Sequence, residues 1–306
     1  MAKIRTLIEQ GNWYKGNTHS HTTVSDGRLS PEDAVAVYRE YGYHWMAITD
    51  HGIWGTHDGL QDENFIIFGG TELGKPLPPK KGFGHHVVFI GVPSQVEFTH
   101  GQNIDELCKD MDTQEMIDFM VKKGNIAIYA HPRWSHVKMD EYLKIKNCMA
   151  LEIYNSASEV ECGCGEVSSY FEHSLWSGDR MLAIACDDAH LRSAYGGGWI
   201  VVKAKALTHK DVMDAIKAGS FYASTGGPEI TDFWVEDGVA HVDCSPASCV
   251  TFFGDGTVGE AFRGEGITSQ SWDSKKAWLP DKLNCIYAVC TDANGKLSWT
   301  QPVWLK

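Results

Sequence analysis

Short apolar runs alternate with helical patterns between about residues 13 and 226 of this 306-residue chain. This alternation is typical of parallel strands that are joined by crossover helices. The predicted strands are a short one before Thr18, followed by Trp45 to Thr49, Phe65 to Phe68, Val87 to Ile90, Ile126 to Tyr129, Leu151 to Tyr154, Met181 to Ala185 and Trp199 to Val202.

Three of the intervening helices have recognisable ends. Ser or Thr favours the first position of a helix, Pro suits its first turn, and Gly commonly follows its last residue. The bracketing residues are Ser30 with Pro31 and Gly42, Thr113 with Gly124, and Thr208 with Asp211 and Gly219.

The pattern changes after the GGP at residues 226–228. Short alternating stretches such as TDFWV, HVDC, VTFF and NCIYAVCT follow, separated by turn residues, and they predict a small antiparallel β-sandwich-like domain. We therefore expect two domains, residues 1–226 and 227–306. The aromatic residues of the second domain favour a sandwich core over a carbohydrate-binding surface, because several alternate along predicted strands. They include Phe233, Trp234, Phe252, Phe253, Trp272, Trp278 and Trp299.

Composition narrows the class of protein. Apolar residues make up 43% of the chain and charged residues 22%, as in soluble globular proteins. The formal net charge of -13 opposes binding to a long nucleic-acid duplex or an anionic membrane. No stretch has the length of a signal-peptide core or of a membrane span. Nine scattered cysteines suit free thiols in a reducing compartment, so we expect a cytoplasmic protein.

Cys162 and Cys164 form a CxC pair that could hold a metal ion. The second half of a zinc-site pattern is missing, so we interpret these two residues as loop thiols.

Histidines and carboxylates follow the predicted strands. His19 and His21 are two residues apart, so in an extended chain both point to the same face. Because ligands bind at the carboxyl ends of parallel strands, this arrangement predicts a metal site there. The nine candidate ligands are His19, His21, Asp26, His51, Glu72, His86, His131, Asp188 and His190.

Each candidate ligand, judged alone, is more often a hydrogen-bonding residue, a helix cap or a turn former. The combined set favours metal binding. Burying so many imidazoles and carboxylates at one edge of a sheet is costly without compensating cations.

The order of these motifs resembles the polymerase and histidinol phosphatase (PHP) superfamily across residues 12–226. The motifs are HSH with SDG, TDHG, the isolated Glu72, a His that opens a strand, AHP and DDAH. The resemblance implies a distorted (β/α)7 barrel with two or three divalent ions of zinc, manganese or iron. It also implies a phosphoesterase that uses a hydroxide bridging the metals to act on a small phosphorylated substrate.

The resemblance further implies three ligand sets. The first metal would be held by His19, His21, Glu72 and Asp188, the second by Glu72, His86 and His131, and the third by Asp26, His51 and His190. We expect Glu72, as the bridge, and His131, Asp188 and His190 to be required for catalysis.

Some assignments stay open at this stage. His85 or His86 could be the strand-opening ligand; the four residues between His86 and Gly91 match the spacing of the PHP superfamily, so the resemblance favours His86. Asp187 and Asp50 are expected to support ligands rather than bind metal. Arg133, His136 and Arg192 follow strand ends, so we expect them to contact substrate, although rim salt bridges would explain the arginines equally well.

A narrower likeness concerns the stretch from YGGGWIVV to GGPEI and the β-rich sequence after it. It is similar to a branch of the superfamily that includes carbamate-insecticide hydrolases. Cleavage of a carbamate, ester or amide is therefore the main alternative to phosphoester cleavage. A non-catalytic, metal-stabilised interaction module is a third hypothesis.

Overall fold

The computed structural model describes residues 3–77, 83–255, 258–277 and 283–305. Within them the chain forms a distorted α/β barrel followed by a β-rich C-terminal region. The strands are β1 (Ile4–Arg5), β2 (Asn12–Asn17), β3 (Trp45–Ile48), β4 (Ile53–Trp54), β5 (Ile66–Pro76), β6 (Gly84–Gly91), β7 (Gln102–Asn103), β8 (Ile126–Tyr129), β9 (Ala150–Asn155), β10 (Leu182–Cys186), β11 (Trp199–Ala204), β12 (Phe221–Ser224), β13 (Ile230–Glu236), β14 (Val239–Phe253), β15 (Gly259–Asp273), β16 (Cys285–Thr291), β17 (Leu297–Thr300) and β18 (Val303–Trp304). The helices are α1 (Pro31–Glu40), α2 (Ile104–Cys108), α3 (Thr113–Lys122), α4 (Met139–Tyr142), α5 (Ser156–Cys162), α6 (Ser168–Trp176) and α7 (His209–Lys217).

Seven strands form the barrel in the order β2, β3, β5, β6, β8, β9 and β10. The barrel closes where the chain after β10 returns to the chain after β2. There the Asp188 amide donates to the His19 carbonyl at 2.9 Å, and Ser20 and Ala189 form a parallel bridge. The predicted seven-stranded distorted barrel is confirmed, and the closing hydrogen bonds lie beside candidate ligands.

The prediction that all strands of this part are parallel is wrong for β6 and β11. β6 runs antiparallel to β5 and β8, and β11 runs antiparallel to β2 and β12. Only residues 77–83 separate β5 from β6, and a parallel connection needs a dozen residues or more. An apolar run shows that a strand is buried but does not reveal its direction.

The helix ends follow the local sequence. The Ser30 side chain caps α1 by accepting from the Asp33 amide, and Thr208 caps α7 by accepting from the Asp211 amide. Helix α3 begins differently from the prediction, because Asp112 rather than Thr113 is its cap.

These helices cover the outside of the barrel, and β3, β8 and β10 are buried along their whole length. That burial on both faces explains their continuous apolar sequences.

The C-terminal region is built around β14. This long strand pairs with β15 on one edge, and with β13 and then β16 on the other. Four of the seven aromatic residues that were predicted to form the core of this region are at most 3% exposed, as that prediction requires. The four are Phe233, Phe252, Trp272 and Trp299. Trp278 lies outside the described residues.

Hydrogen bonds connect the two parts of the chain. β12 pairs with β17, so one sheet continues from the barrel side into the C-terminal region, and β1 pairs with β13. The domain boundary after residue 226 stays a prediction.

All nine cysteines are free thiols. The Sγ atoms of Cys162 and Cys164 lie 3.3 Å apart at the end of α5. Among the described residues these two thiols belong to no group that could hold a metal ion. No helix in the described part of the chain is long and apolar enough to cross a membrane.

Candidate metal centre

The nine candidate ligands meet at one rim of the barrel. His19 and His21 follow β2, His131 follows β8, and Asp188 and His190 follow β10. The loops after these parallel strands therefore supply most of the site, as the sequence predicted.

Two ligands reach the rim in another way. Glu72 lies within β5 rather than after it, since β5 continues to Pro76 in its pairing with β6. His86 lies near the amino end of β6 and not at a carboxyl end. Because β6 is antiparallel, its amino end lies at the rim where the parallel strands end.

A first, fully buried group consists of His19, His21, Glu72 and Asp188. The Nε2 atoms of His19 and His21 are 2.9 Å apart. Glu72 Oε2 lies 3.0 Å from His19 Nε2 and 3.1 Å from His21 Nε2. Asp188 Oδ1 lies 3.2 and 3.1 Å from the same two nitrogens. Four potential ligand atoms thus converge on one point.

A second group shares Glu72 with the first. Glu72 Oε1 lies 2.7 Å from His86 Nδ1 and 3.1 Å from His131 Nε2. The two oxygens of one carboxylate therefore face two different groups of histidines. This placement is what a carboxylate needs in order to bridge two metal ions.

A third, more exposed group contains Asp26, His51 and His190, together with His21. Asp26 Oδ1 lies 3.3 Å from His190 Nε2, and Asp26 Oδ2 lies 3.7 Å from His51 Nε2. The His190 ring stacks on His21 with ring centroids 4.1 Å apart. The structure thus brings together all nine predicted ligands and adds His21 to the third set.

Neighbouring groups fix the orientation of these imidazoles. Glu152 Oε1 accepts from His19 Nδ1 at 2.6 Å, and the Asp188 carbonyl accepts from His190 Nδ1 at 3.0 Å. Since Nδ1 donates in both rings, Nε2 is the nitrogen that is left to face the site. Ser135 Oγ lies 2.9 Å from His131 Nδ1 and holds that ring in the same way.

Asp50 and Asp187 support the loops that carry ligands. Asp50 accepts from the Thr22 amide and hydroxyl and from Ser25, which shapes the turn that presents Asp26. Asp187 accepts from the amides of residues 196–198, each at 2.9 Å. Burial raises the pKa of Asp187 to about 6, although those amides favour its carboxylate form.

The two adjacent histidines of β6 point in opposite directions. His86 contacts Glu72, whereas His85 is buried on the other face against the Tyr129 hydroxyl. Alternation along a strand explains the difference, because neighbouring side chains lie on opposite faces. Only His86 is placed to serve as a ligand.

The ionisable groups of the first two sets influence one another strongly. Burial disfavours the charged form of His19, but the Asp188, Glu152 and Glu72 carboxylates raise its pKa well above the usual value. His21 experiences the same opposing effects, and its pKa is raised to about 9. Burial likewise disfavours ionised Glu72, yet the neighbouring imidazoles hold its pKa well below its usual range. Protonated imidazoles thus neutralise these carboxylates, and a divalent cation would have to displace the protons.

The donor set fits metal ions. Asp188 Oδ1 is buried and makes no hydrogen bond among the described residues, although two imidazole nitrogens lie within 3.2 Å of it. A buried carboxylate oxygen that has no hydrogen bond and lies beside imidazole nitrogens suits coordination to a cation. Histidine and carboxylate sets accept zinc, manganese or iron.

A cavity of about 310 Å³ opens above these groups. His19 and His21 lie buried beneath it, and the other seven candidate ligands line it. Six further residues, none of which the sequence indicated, complete its wall: Arg28, Trp134, Ala157, Ser158, Glu161 and Leu191. Arg28 follows Asp26 by two residues and Trp134 follows His131 by three, so closeness to a ligand was the available signal.

The three predicted substrate contacts do not line this cavity. Arg192 begins a 3₁₀ turn that directs its side chain toward α1, where it lies 3.9 Å from Glu40. The His136 ring packs against Phe83 with centroids 4.5 Å apart. Arg133 is exposed. The arginine that lines the cavity is Arg28.

The sequence matches no protein-family model and no curated protein. Its fold is similar to that of a two-domain protein containing a predicted PHP-like metal-dependent phosphoesterase from Bacteroides vulgatus. That match has a TM-score of 0.53 and 13% identity, and it covers 98% of both chains. A lesion-specific endonuclease from Pyrococcus furiosus matches with a TM-score of 0.45 and 14% identity over 67% of this chain and 56% of that one. The chain therefore has the two-part fold of the Bacteroides protein, a distorted barrel followed by a β-rich region.

Proposed function

We propose that this chain is a metal-dependent hydrolase of the PHP superfamily that cleaves phosphoesters of a small soluble substrate. The observation that carries the proposal is the position of Glu72. Its two carboxylate oxygens face two different histidine groups at the floor of one cavity.

Three sets of residues would hold divalent ions. The first is His19, His21, Glu72 and Asp188, the second is Glu72, His86 and His131, and the third is Asp26, His51 and His190 with His21. When bound, such ions would supply Lewis acidity toward a phosphoryl oxygen and a nucleophile from water at neutral pH.

The chain itself orients the ligands and the substrate. Glu152 and the Asp188 carbonyl accept hydrogen bonds from Nδ1 of His19 and His190, so the Nε2 atoms face the site before any ion binds. This preorganisation spares the reaction the cost of reorienting ligands. A serine or cysteine nucleophile is not required.

Arg28 favours a phosphoester over a neutral carbamate. It is the one lysine or arginine among the described residues that line the cavity. A planar guanidinium suits the oxygens of a phosphate, whereas a carbamate offers no negative charge for it to bind. The resemblance of the motifs in the sequence supports the same choice.

Hydrolysis assays test the proposal. Purified protein reconstituted with manganese, zinc or iron would be assayed on p-nitrophenyl phosphate, bis(p-nitrophenyl) phosphate and an aryl carbamate. We expect turnover of a phosphoester, its loss in His131→Ala, and unchanged turnover in His136→Ala, a matched histidine outside the cavity.

Two results would contradict the proposal. Carbamate turnover without phosphoester turnover would favour the alternative hydrolase. Metal binding without turnover of any of these substrates would favour a non-catalytic module.

A further inference from the structure

An exposed tryptophan forms part of the cavity wall. Trp134 lies in the turn after β8, three residues beyond His131, and is 37% exposed. Its ring centroid lies 5.3 Å from that of His131 and 6.4 Å from that of His86, and the indole plane is nearly perpendicular to both imidazoles. The indole therefore stands beside the second ligand group with part of its surface open to the cavity.

A hydrogen bond from another element holds this ring. The indole Nε1 donates to Glu161 Oε2 at 3.1 Å, and Glu161 lies in α5. Both residues line the cavity. Because the polar edge of the ring is satisfied by Glu161, its apolar face remains available to a ligand. A side chain fixed in this way loses little rotational freedom when a ligand stacks on it.

Leu191 adds a second apolar surface to the same cavity. It follows His190, lines the cavity and is 44% exposed. Exposed apolar side chains inside a cavity whose floor is ionic indicate that the ligand has an apolar part as well as a charged one. The volume of about 310 Å³ is at the small end for ligand sites, which favours one or two rings.

We propose that Trp134 is the platform of a subsite for a flat aromatic or heteroaromatic group, so that the substrate is an aryl or heteroaryl phosphoester rather than an alkyl one. This inference rests on the proposed function and names the substrate class of the same site. Glu161 acts through Trp134 as a positioning residue.

The test compares phenyl phosphate with ethyl phosphate in the reconstituted enzyme. Stacking on an aromatic ring adds roughly 1 kcal/mol, so Trp134→Ala should lower kcat/KM about fivefold more for the phenyl ester than for the ethyl ester. Comparing the ratio between variants cancels the difference in leaving-group reactivity. Trp134→Phe should keep most of the preference. Trp176→Ala removes a tryptophan that is 66% exposed in α6, outside the cavity, and should change neither value.

Equal losses for both esters in Trp134→Ala would overturn the subsite, because they would indicate a structural role. Unchanged values would overturn it as well.

Binding of phenylphosphonate and methylphosphonate, measured by calorimetry, gives a readout that does not depend on turnover. If neither ester is hydrolysed, the subsite is judged by these ligands alone, and the proposed function is judged separately by the assays on p-nitrophenyl phosphate and bis(p-nitrophenyl) phosphate. A preference for phenylphosphonate that Trp134→Ala abolishes would support it, and the absence of that preference would overturn it.

Discussion

Glu152 offers a sharp test of how the site is organised, because its carboxylate faces three donors. Oε1 accepts from His19 Nδ1 at 2.6 Å, and Oε2 accepts from the His131 amide at 3.1 Å and from Asn155 Nδ2 at 2.9 Å. In Glu152→Gln, one oxygen becomes an NH₂ group that can only donate. Either orientation of the amide therefore places a donor against a donor.

Each orientation has a definite cost. If the NH₂ group faces His19, Nδ1 loses its acceptor, and the neutral ring needed for metal binding would carry its proton on Nε2, the nitrogen that faces Glu72 and Asp188. If it faces the His131 amide and Asn155, two buried donors lose their acceptor, at about 1–3 kcal/mol each. Loss of such a supporting carboxylate typically lowers metal affinity about 10- to 100-fold.

Calorimetric titration of metal-free protein with zinc would measure this effect. We expect Glu152→Gln to bind the ion at least about tenfold more weakly than the unmodified chain. Glu161→Gln is the matched control, since Glu161 lines the same cavity but contacts no candidate ligand among the described residues. Thermal unfolding of both variants checks that the fold is retained. A Glu152→Gln affinity within twofold of the unmodified chain would refute the orienting role.

Two further predictions concern substrate and protons. Arg28→Ala should raise KM for phenyl phosphate about tenfold, as expected for the loss of one charge-assisted contact. Arg192→Ala, outside the cavity, should leave KM unchanged. Equal effects of the two substitutions in steady-state kinetics would remove Arg28 from the site. Zinc binding at pH 7 should release protons, because the raised pKa of His21, about 9, keeps that ring protonated in the metal-free protein. Metal affinity should therefore fall as the pH falls. Calorimetry in buffers of different protonation enthalpy counts the protons, and zero release would contradict this prediction.

Much of the barrel could be predicted from the sequence, because its strands are buried on both faces and read as continuous apolar runs. β3, β8 and β10 are examples. The grouping of most candidate ligands followed from their positions after such runs, whereas Glu72 lies within β5 and His86 near the amino end of β6. Strand direction could not be predicted in the same way. β6 contains an apolar run like those of the parallel strands, and only its short connection to β5 indicates that it is antiparallel.

The cavity wall was harder to predict because it depends on contacts between distant segments. Trp134 is fixed by Glu161, 27 residues further along the chain. Arg192 follows a ligand just as closely as Arg28 does, yet its turn leads it away from the cavity toward Glu40. Such outcomes depend on the path of each loop, which hydrophobic periodicity does not encode.

The central claim is a multinuclear site that is bridged by Glu72, and elemental analysis tests it most directly. After reconstitution with zinc, manganese or iron, the metal content per chain would be measured for the unmodified protein and for Glu72→Ala. Three of the four groups of described residues that could hold an ion make up the proposed site and predict two or three ions per chain, and the sharing of Glu72 by two of them predicts the loss of more than one ion in the variant. Less than one ion per chain in the unmodified protein, or an unchanged content in the variant, would contradict the claim.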